Sequence, residues 1–124
     1  WKNQNVARQI FYNCYGVPRN NQFLGYVGVD ADETKSTVLC PSNLTVTNIS
    51  ISMNVGQTSP NAWRFTLRKN GIDTSLVCDV TNVGIMQFPG SVTFLAGDLM
   101  SIKITVVGSV ITPSTTTLTI TYLI

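Results

Sequence analysis

Along most of the chain, apolar and polar residues alternate in short runs with a period of two. The clearest case is the segment 63–80, WRFTLRKNGIDTSLVCDV, in which two alternating runs flank Asn70-Gly71. A period of two is typical of a β-strand with one buried face, and Asn-Gly readily adopts the positive φ angles of a two-residue turn. The pattern predicts a β-hairpin, with Cys78 on the apolar face of its second strand.

A second hairpin is predicted over residues 92–106, where alternating runs flank the compact turn Ala-Gly-Asp at 96–98. Residues 82–90 are interpreted as the spacer between the two hairpins. The segment 44–55 alternates as well, but its apolar positions change phase near Thr47-Asn48, which indicates a bulge or two short strands.

The chain closes on another alternating run, 115–124, whose apolar positions continue to the last residue, so we expect a core strand there. No segment has a convincing helical period. About eight short strands separated by turn residues are typical of a sandwich or barrel. We therefore predict an all-β fold, an antiparallel jelly-roll β-sandwich in one domain over 1–124, with residues 1–10 as an extended lead-in.

The composition favours an assembled or surface-borne domain. Apolar residues make up 44% of the 124-residue chain and charged residues only 11%, against roughly 25% in typical soluble domains. A surface with so few charges can be buried against other subunits, and it suits an extracellular or particle-borne setting. The chain opens on Trp1, so we expect a segment of a longer polypeptide or a processed product.

Nucleic acid and membrane insertion are not expected. The net charge is +2, and only Arg64, Arg68 and Lys69 lie close together among the basic residues. A nucleic-acid surface usually carries a denser basic stripe with interleaved aromatics. No apolar run approaches the roughly 20 residues that span a bilayer.

Three elements together resemble a known family: the RFTLRKNGIDTSL segment, the SVTFLAGDLMSIKIT segment and the alternating C-terminal strand. The chain resembles the trimeric jelly-roll heads of the complement-globular-head and tumour-necrosis-factor-like superfamily. It is most similar to the microbial and viral branch, whose heads cap collagen-like stalks, spore-coat filaments and virion fibres. The matching motif positions are Leu67, Asn70, Gly71, Ala96, Gly97, Asp98 and Leu99.

This resemblance implies a homotrimer in which the C-terminal strand lies near the three-fold axis. It also implies a non-enzymatic structural or recognition head on a viral particle, spore or cell surface that mediates attachment. The alternative is a carbohydrate-binding lectin-type domain of similar fold. Partners would be further copies of the chain and a glycan or protein receptor.

Catalytic chemistry has few candidates, because the chain has no histidine and six acidic residues. A carboxylate pair in one loop, Asp30 with Asp32 or Glu33, is an alternative that would suit glycoside hydrolysis, but nothing nearby would separate their pKa values. The same three oxygen donors would suit calcium. A solvated acidic turn is the favoured interpretation, and no cofactor is expected.

Aromatic residues are concentrated in the first quarter of the chain. Packing in the core or between subunits is the favoured interpretation, and a sugar- or receptor-binding platform is the alternative. The aromatic residues in question are Phe11, Tyr12, Tyr15, Phe23 and Tyr26. The candidate ligand or interface residues are Tyr12, Tyr15, Tyr26 and Tyr122.

Three cysteines cannot all pair within one chain. We expect Cys78 to be a buried free thiol, while Cys14 and Cys40 either form a disulfide in an oxidising compartment or stay free. Zinc is disfavoured without histidine or a Cys-x-x-Cys motif. Asn43 and Asn48 begin triplets that fit the N-glycosylation pattern, and because both lie at an apolar strand we expect at least one to be unmodified.

Overall fold

The computed structural model describes residues 7–15, 18–25 and 28–124, with the backbone alone for residues 11–15. One 3-10 turn, Glu33–Lys35, lies between the third and fourth strands, and the described residues include no helix long and apolar enough to span a membrane. The strands are β1 (Ala7–Tyr15), β2 (Gln22–Leu24), β3 (Val29–Asp30), β4 (Val38–Leu39), β5 (Leu44–Met53), β6 (Ala62–Lys69), β7 (Ile72–Val80), β8 (Gly84–Phe94), β9 (Leu99–Val107) and β10 (Thr115–Leu123).

These strands form two antiparallel sheets. Sheet A has the order β1-β10-β5-β8, and sheet B has the order β3-β2-β9-β6-β7, with β4 also pairing with β9. Each sheet joins strands from distant parts of the chain, as in a jelly roll. The predicted all-β sandwich is confirmed. It has about ten strands where the sequence predicted about eight, and three of them, β2, β3 and β4, are no longer than three residues.

The first hairpin is confirmed in register and in turn type. Trp63 pairs with Val80 at its open end and Lys69 with Ile72 at its tip. Asn70 has a φ of 53° and Gly71 a φ of 78°. Both angles are positive, as a type I′ turn requires.

The second predicted hairpin is wrong. β8 pairs with β5 in sheet A, whereas β9 pairs with β6, β2 and β4 in sheet B. The turn at 96–98 therefore crosses from one sheet to the other. The interpretation of residues 82–90 as a spacer is also wrong, since β8 begins at Gly84. Pro89 is tolerated there because β8 is an edge strand, where a missing N–H costs least.

The apolar faces of the two sheets meet in a single core. β5 carries the predicted bulge, with a register shift between Val46 and Asn48, and β10 lies between β1 and β5 with Leu118 and Ile120 buried. The C-terminal run is thus the core strand that the sequence predicted, except that it ends at Leu123 and leaves Ile124 50% exposed. The largest fully buried side chains are Phe65, Phe94, Leu24, Ile49, Ile51, Met53, Leu67, Met100, Ile102, Ile104, Leu118 and Ile120.

Candidate functional site

One end of the sandwich is closed where the β6–β7 turn meets the turn between β8 and β9. Nδ2 of Asn70 donates to Oδ1 of Asp98 (2.9 Å), and Oδ1 of Asn70 accepts from the backbone N–H of Leu99 (2.8 Å). Oδ2 of Asp98 accepts from the backbone N–H of Leu95 (2.8 Å). The bond from Asn70, followed by that from Leu95, lowers the pKa of the Asp98 carboxyl. The two turns that carry the family resemblance are in direct contact.

The acidic loop contributes Glu33 to an ion pair. Oε2 of Glu33 accepts from Nε of Arg68 (2.8 Å) and from the hydroxyl of Ser101, while Arg68 also pairs with Asp73. The Arg68 side chain is 14% exposed and its guanidinium lies 5.7 Å from the centroid of the Phe23 ring. Burial raises the pKa of Glu33, but the hydrogen bonds from Arg68 and Ser101 outweigh burial, so this pKa lies below its ordinary value.

The three acidic residues considered for calcium or hydrolysis are not brought together. Asp32 caps the 3-10 turn, where Oδ1 accepts from the backbone N–H (3.0 Å) and the hydroxyl (2.7 Å) of Thr34. Asp30 accepts from the backbone N–H of Asp32 (2.8 Å), and Glu33 is held by Arg68. Within the described ranges, no group of three acidic, cysteine or histidine side chains is placed to bind a metal ion.

The basic residues of the first hairpin have partners within the molecule. Arg64 forms a two-point ion pair with Asp79, at 2.7 and 2.9 Å. Nζ of Lys69 donates to the carbonyl oxygen of Thr93 (2.7 Å) and lies 5.5 Å from the centroid of the Phe94 ring. These contacts fit a hairpin whose charges stabilise the fold.

Of the four candidate tyrosines, Tyr122 is the one whose side chain the structure describes. It is partly buried and packs against the core from β10, and its proposed role at a ligand or interface stays a prediction. The side chains of Tyr12 and Tyr15, and all of Tyr26, lie outside the described residues, so their proposed role stays a prediction. Phe23 is 8% exposed, in agreement with packing.

The buried free thiol predicted for Cys78 is confirmed, and burial raises its pKa to about 12. Cys40 is also a buried free thiol, so the disulfide considered for Cys14 and Cys40 is not formed in this structure, and the side chain of Cys14 lies outside the described residues. Asn48 donates from Nδ2 to Ser50 (3.0 Å) and to Gln87 (2.8 Å), which occupies the atom that a glycan would need. Its modification stays untested, as does that of Asn43.

Charged residues are segregated between the two sheets. β5, β8 and β10 contain no Asp, Glu, Lys or Arg, and in the described part of sheet A the one charged residue is Arg8, on β1. Sheet B and its adjoining loops carry the ion pairs described above. Sheet A therefore presents a neutral outer face, while sheet B presents a charged one.

The outer face of sheet A is a regular array of hydroxyl and amide side chains. Cross-strand register aligns Thr117 with Ser52 and Thr119 with Ser50, and Ser50 bonds in turn with Gln87 on β8. Ile85 is 71% exposed beside Ser52. We define the neutral face as the outward residues Ser50, Ser52, Ile85, Gln87, Thr117, Thr119 and Thr121.

The sequence matches no protein-family model and no curated protein. Among solved structures, a chain of the acidic stable capsid of Helicobacter pylori bacteriophage KHP30 superposes with a TM-score of 0.52. Its sequence identity is 9%, over 96% of this chain and 94% of that chain. The C-terminal domain of EclA, a sugar-binding protein, superposes with a TM-score of 0.41 at 14% identity, over 95% of this chain and 78% of that chain.

The capsid chain shows a shared fold over nearly its whole length, and at this identity the likeness extends to the fold alone. The neutral face is the feature that sequence reasoning missed. Its signal was present in the sequence, since three strand-length segments contain no charged residue. The three segments form one surface because β10, β5 and β8 are neighbours in sheet A, which the sequence alone does not show.

Proposed function

We propose that this domain is a non-enzymatic structural or recognition head that self-associates, as a trimer, through the neutral face. It belongs on a viral particle or another extracellular surface, where it mediates attachment. The proposal places the chain with the trimeric jelly-roll heads that its hairpin and turn motifs resemble.

The neutral face is the observation that carries this proposal. Burying an unpaired charge at an interface costs several kcal/mol, whereas hydroxyl and amide groups can exchange water for partners on another subunit at little net cost. The neutral face offers Thr117, Thr119 and Ser50 in regular rows, and it includes the C-terminal strand that the family resemblance puts near a three-fold axis. A stable trimer of this kind buries more than about 2,000 Å² in total.

Two further features support the proposal. The fold is shared with a phage capsid chain, a kind of protein that works by assembling with others. The carboxylates that a hydrolase would need are committed to structural contacts: Glu33 and Asp79 to arginines, and Asp98 to Asn70. A non-enzymatic role is consistent with these contacts.

A matched pair of substitutions tests the face. Thr119→Glu puts a charge at the centre of the neutral face on β10, and Thr105→Glu puts the same charge on the outer face of sheet B, beside Arg64. Light scattering should report trimers for the parent protein and for Thr105→Glu, and monomers for Thr119→Glu. Trimers in both variants would show that the neutral face is not the interface, and monomers throughout would refute self-association.

A further inference from the structure

A groove separates the edge strands β7 of sheet B and β8 of sheet A, which both lack a strand neighbour on that side in the described residues. Its volume is about 480 Å³, within the range of roughly 300–1,000 Å³ typical of small-molecule sites. It lies between residues 72–75 and residues 91–93.

Two contacts between the sheets bound this groove. At one end the strands come together where Leu76 packs on Gly90: a Cβ added to Gly90 would lie 3.0 Å from Cδ1 of Leu76. At the other end the Lys69 side chain spans from β6 to the carbonyl oxygen of Thr93. Between them the strands separate, and the nearly buried Val92 lines the groove.

The lining combines hydrogen-bond donors and acceptors with one apolar surface. In the hydrogen-bond network of the described residues, the exposed hydroxyls of Ser75 and Ser91 have no partner. Asp73 offers a carboxylate and Lys69 an ammonium, and Ile72 is 69% exposed beside them. Both charges already have internal partners, Arg68 for Asp73 and the Thr93 carbonyl for Lys69.

We propose that this groove is a carbohydrate-binding site for one or two neutral sugar residues, which deepens, and rests on, the recognition role proposed above. Sugar hydroxyls both donate and accept, so they match serine hydroxyls, a carboxylate and an ammonium in one place. The Ile72 side chain supplies an apolar surface for the C–H groups of a sugar ring. A neutral ligand is favoured over a charged one, because the lining carries one side chain of each sign, Lys69 and Asp73.

The dimensions favour a sugar over an added peptide strand. The open stretch is three to four residues long on each wall, or roughly 10–13 Å at about 3.3 Å per residue. Strands are most often about five to six residues long, which is longer than this stretch, and the contacts at Leu76 and Lys69 prevent an added strand from continuing.

The test is a glycan array, followed by NMR titration of the ¹⁵N-labelled protein with D-glucose, D-galactose, D-mannose and N-acetyl-D-glucosamine. Ser91→Phe fills the groove from an exposed position, and Ser75→Ala with Ser91→Ala removes the two unpartnered hydroxyls. Ser109→Phe, in an exposed turn away from the groove, is the matched control.

The proposal predicts saturable shifts confined to the amides of residues 69–76 and 90–94. Binding should be lost in Ser91→Phe, weakened about tenfold or more in the double alanine variant, and unchanged in Ser109→Phe. The proposal is overturned if no array glycan and none of the four sugars binds, if binding survives Ser91→Phe, or if only an extended peptide perturbs the groove. Light scattering on the same samples reports self-association separately, so a failure of sugar binding and a failure of trimer formation are distinguishable.

Discussion

Asn70 has two roles at one position. Its backbone takes the positive φ of the hairpin turn, and its side-chain amide joins that turn to Asp98 and Leu99. The first role could be predicted from the Asn-Gly dipeptide, because turn conformation is local. The second could not, because it depends on a contact between residues 28 positions apart that the pairing of β6 with β9 brings together.

The β6–β7 turn should be sensitive to a β-branched residue. Gly71 has a φ of 78°, a conformation that Val adopts only with strain, so Gly71→Val should cost about 1 kcal/mol or more of unfolding free energy. Chemical denaturation measures this cost. Thr112→Val, in an exposed loop, is the control, and an unchanged midpoint for Gly71→Val would contradict the turn assignment.

The Glu33–Arg68 pair should make stability depend on acid pH. Because the folded-state pKa of Glu33 lies below its ordinary value of 4.5, the pair stabilises the fold fully above that value. The contribution is lost as the pH falls through the folded-state pKa. Glu33→Gln should therefore lower Tm at neutral pH and flatten the fall in Tm below about pH 4.5. Equal acid profiles of Tm for the parent and Glu33→Gln would rule out this role.

The Cys78 thiol should be unreactive in the folded protein. It is fully buried on β7, and burial raises its pKa to about 12, so both access and thiolate formation are suppressed. In a Cys14→Ser, Cys40→Ser variant, a thiol reagent should label Cys78 only when denaturant is added. Rapid labelling without denaturant would mean that β7 does not turn this face to the core.

At the scale of elements, alternation predicted where strands lie better than which strands pair. It placed the apolar faces of β6, β7, β9 and β10 correctly, because the period of two reports burial along a single strand. It failed for β8 and β9, since a turn that joins two sheets leaves the same alternating runs on either side as a hairpin does. Pro89 and Gly90 further concealed β8, an edge strand that tolerates them.

The C-terminal strand should be essential to sheet A. Tyr122 and Leu123 pair with Arg8 and Ala7 of β1 on one side and with Val46 and Thr45 of β5 on the other. Deleting residues 122–124 removes backbone pairing partners from both β1 and β5, so we expect monomers or aggregates with a lower Tm. Deleting Ile124 alone, which lies beyond the strand and is 50% exposed, should leave mass and Tm nearly unchanged. Equal behaviour of the two deletions would contradict the central place of β10.

For the whole molecule, the low charge content predicted a surface suited to assembly but not where that surface lies. Composition gives the number of charged residues but not their positions in the fold. The strand order shows that the uncharged strands are neighbours in one sheet and that the charged residues lie mainly on the other. The existence of a neutral surface could therefore be inferred from the composition, but its location required the fold. The groove between β7 and β8 escaped sequence reasoning altogether, because its walls come from two strands whose proximity no local pattern encodes.

This distribution of charge leads to a test on the intact protein. If subunits meet through the neutral face, no ion pair crosses the interface. Added salt weakens interactions between exposed charges, with a screening length of about 10 Å at 0.1 M, so it should leave this association unchanged. Light scattering at micromolar protein should report about three times the 13.5 kDa monomer mass in both low and high NaCl. An interface through sheet B would bring its exposed Arg64, Asp79 and Asp73 side chains into contact with another subunit, and its stability would change with salt. Dissociation on adding NaCl would thus indicate that the interface lies on sheet B. A monomer at every salt concentration would refute the trimer hypothesis without contradicting the β-sandwich fold.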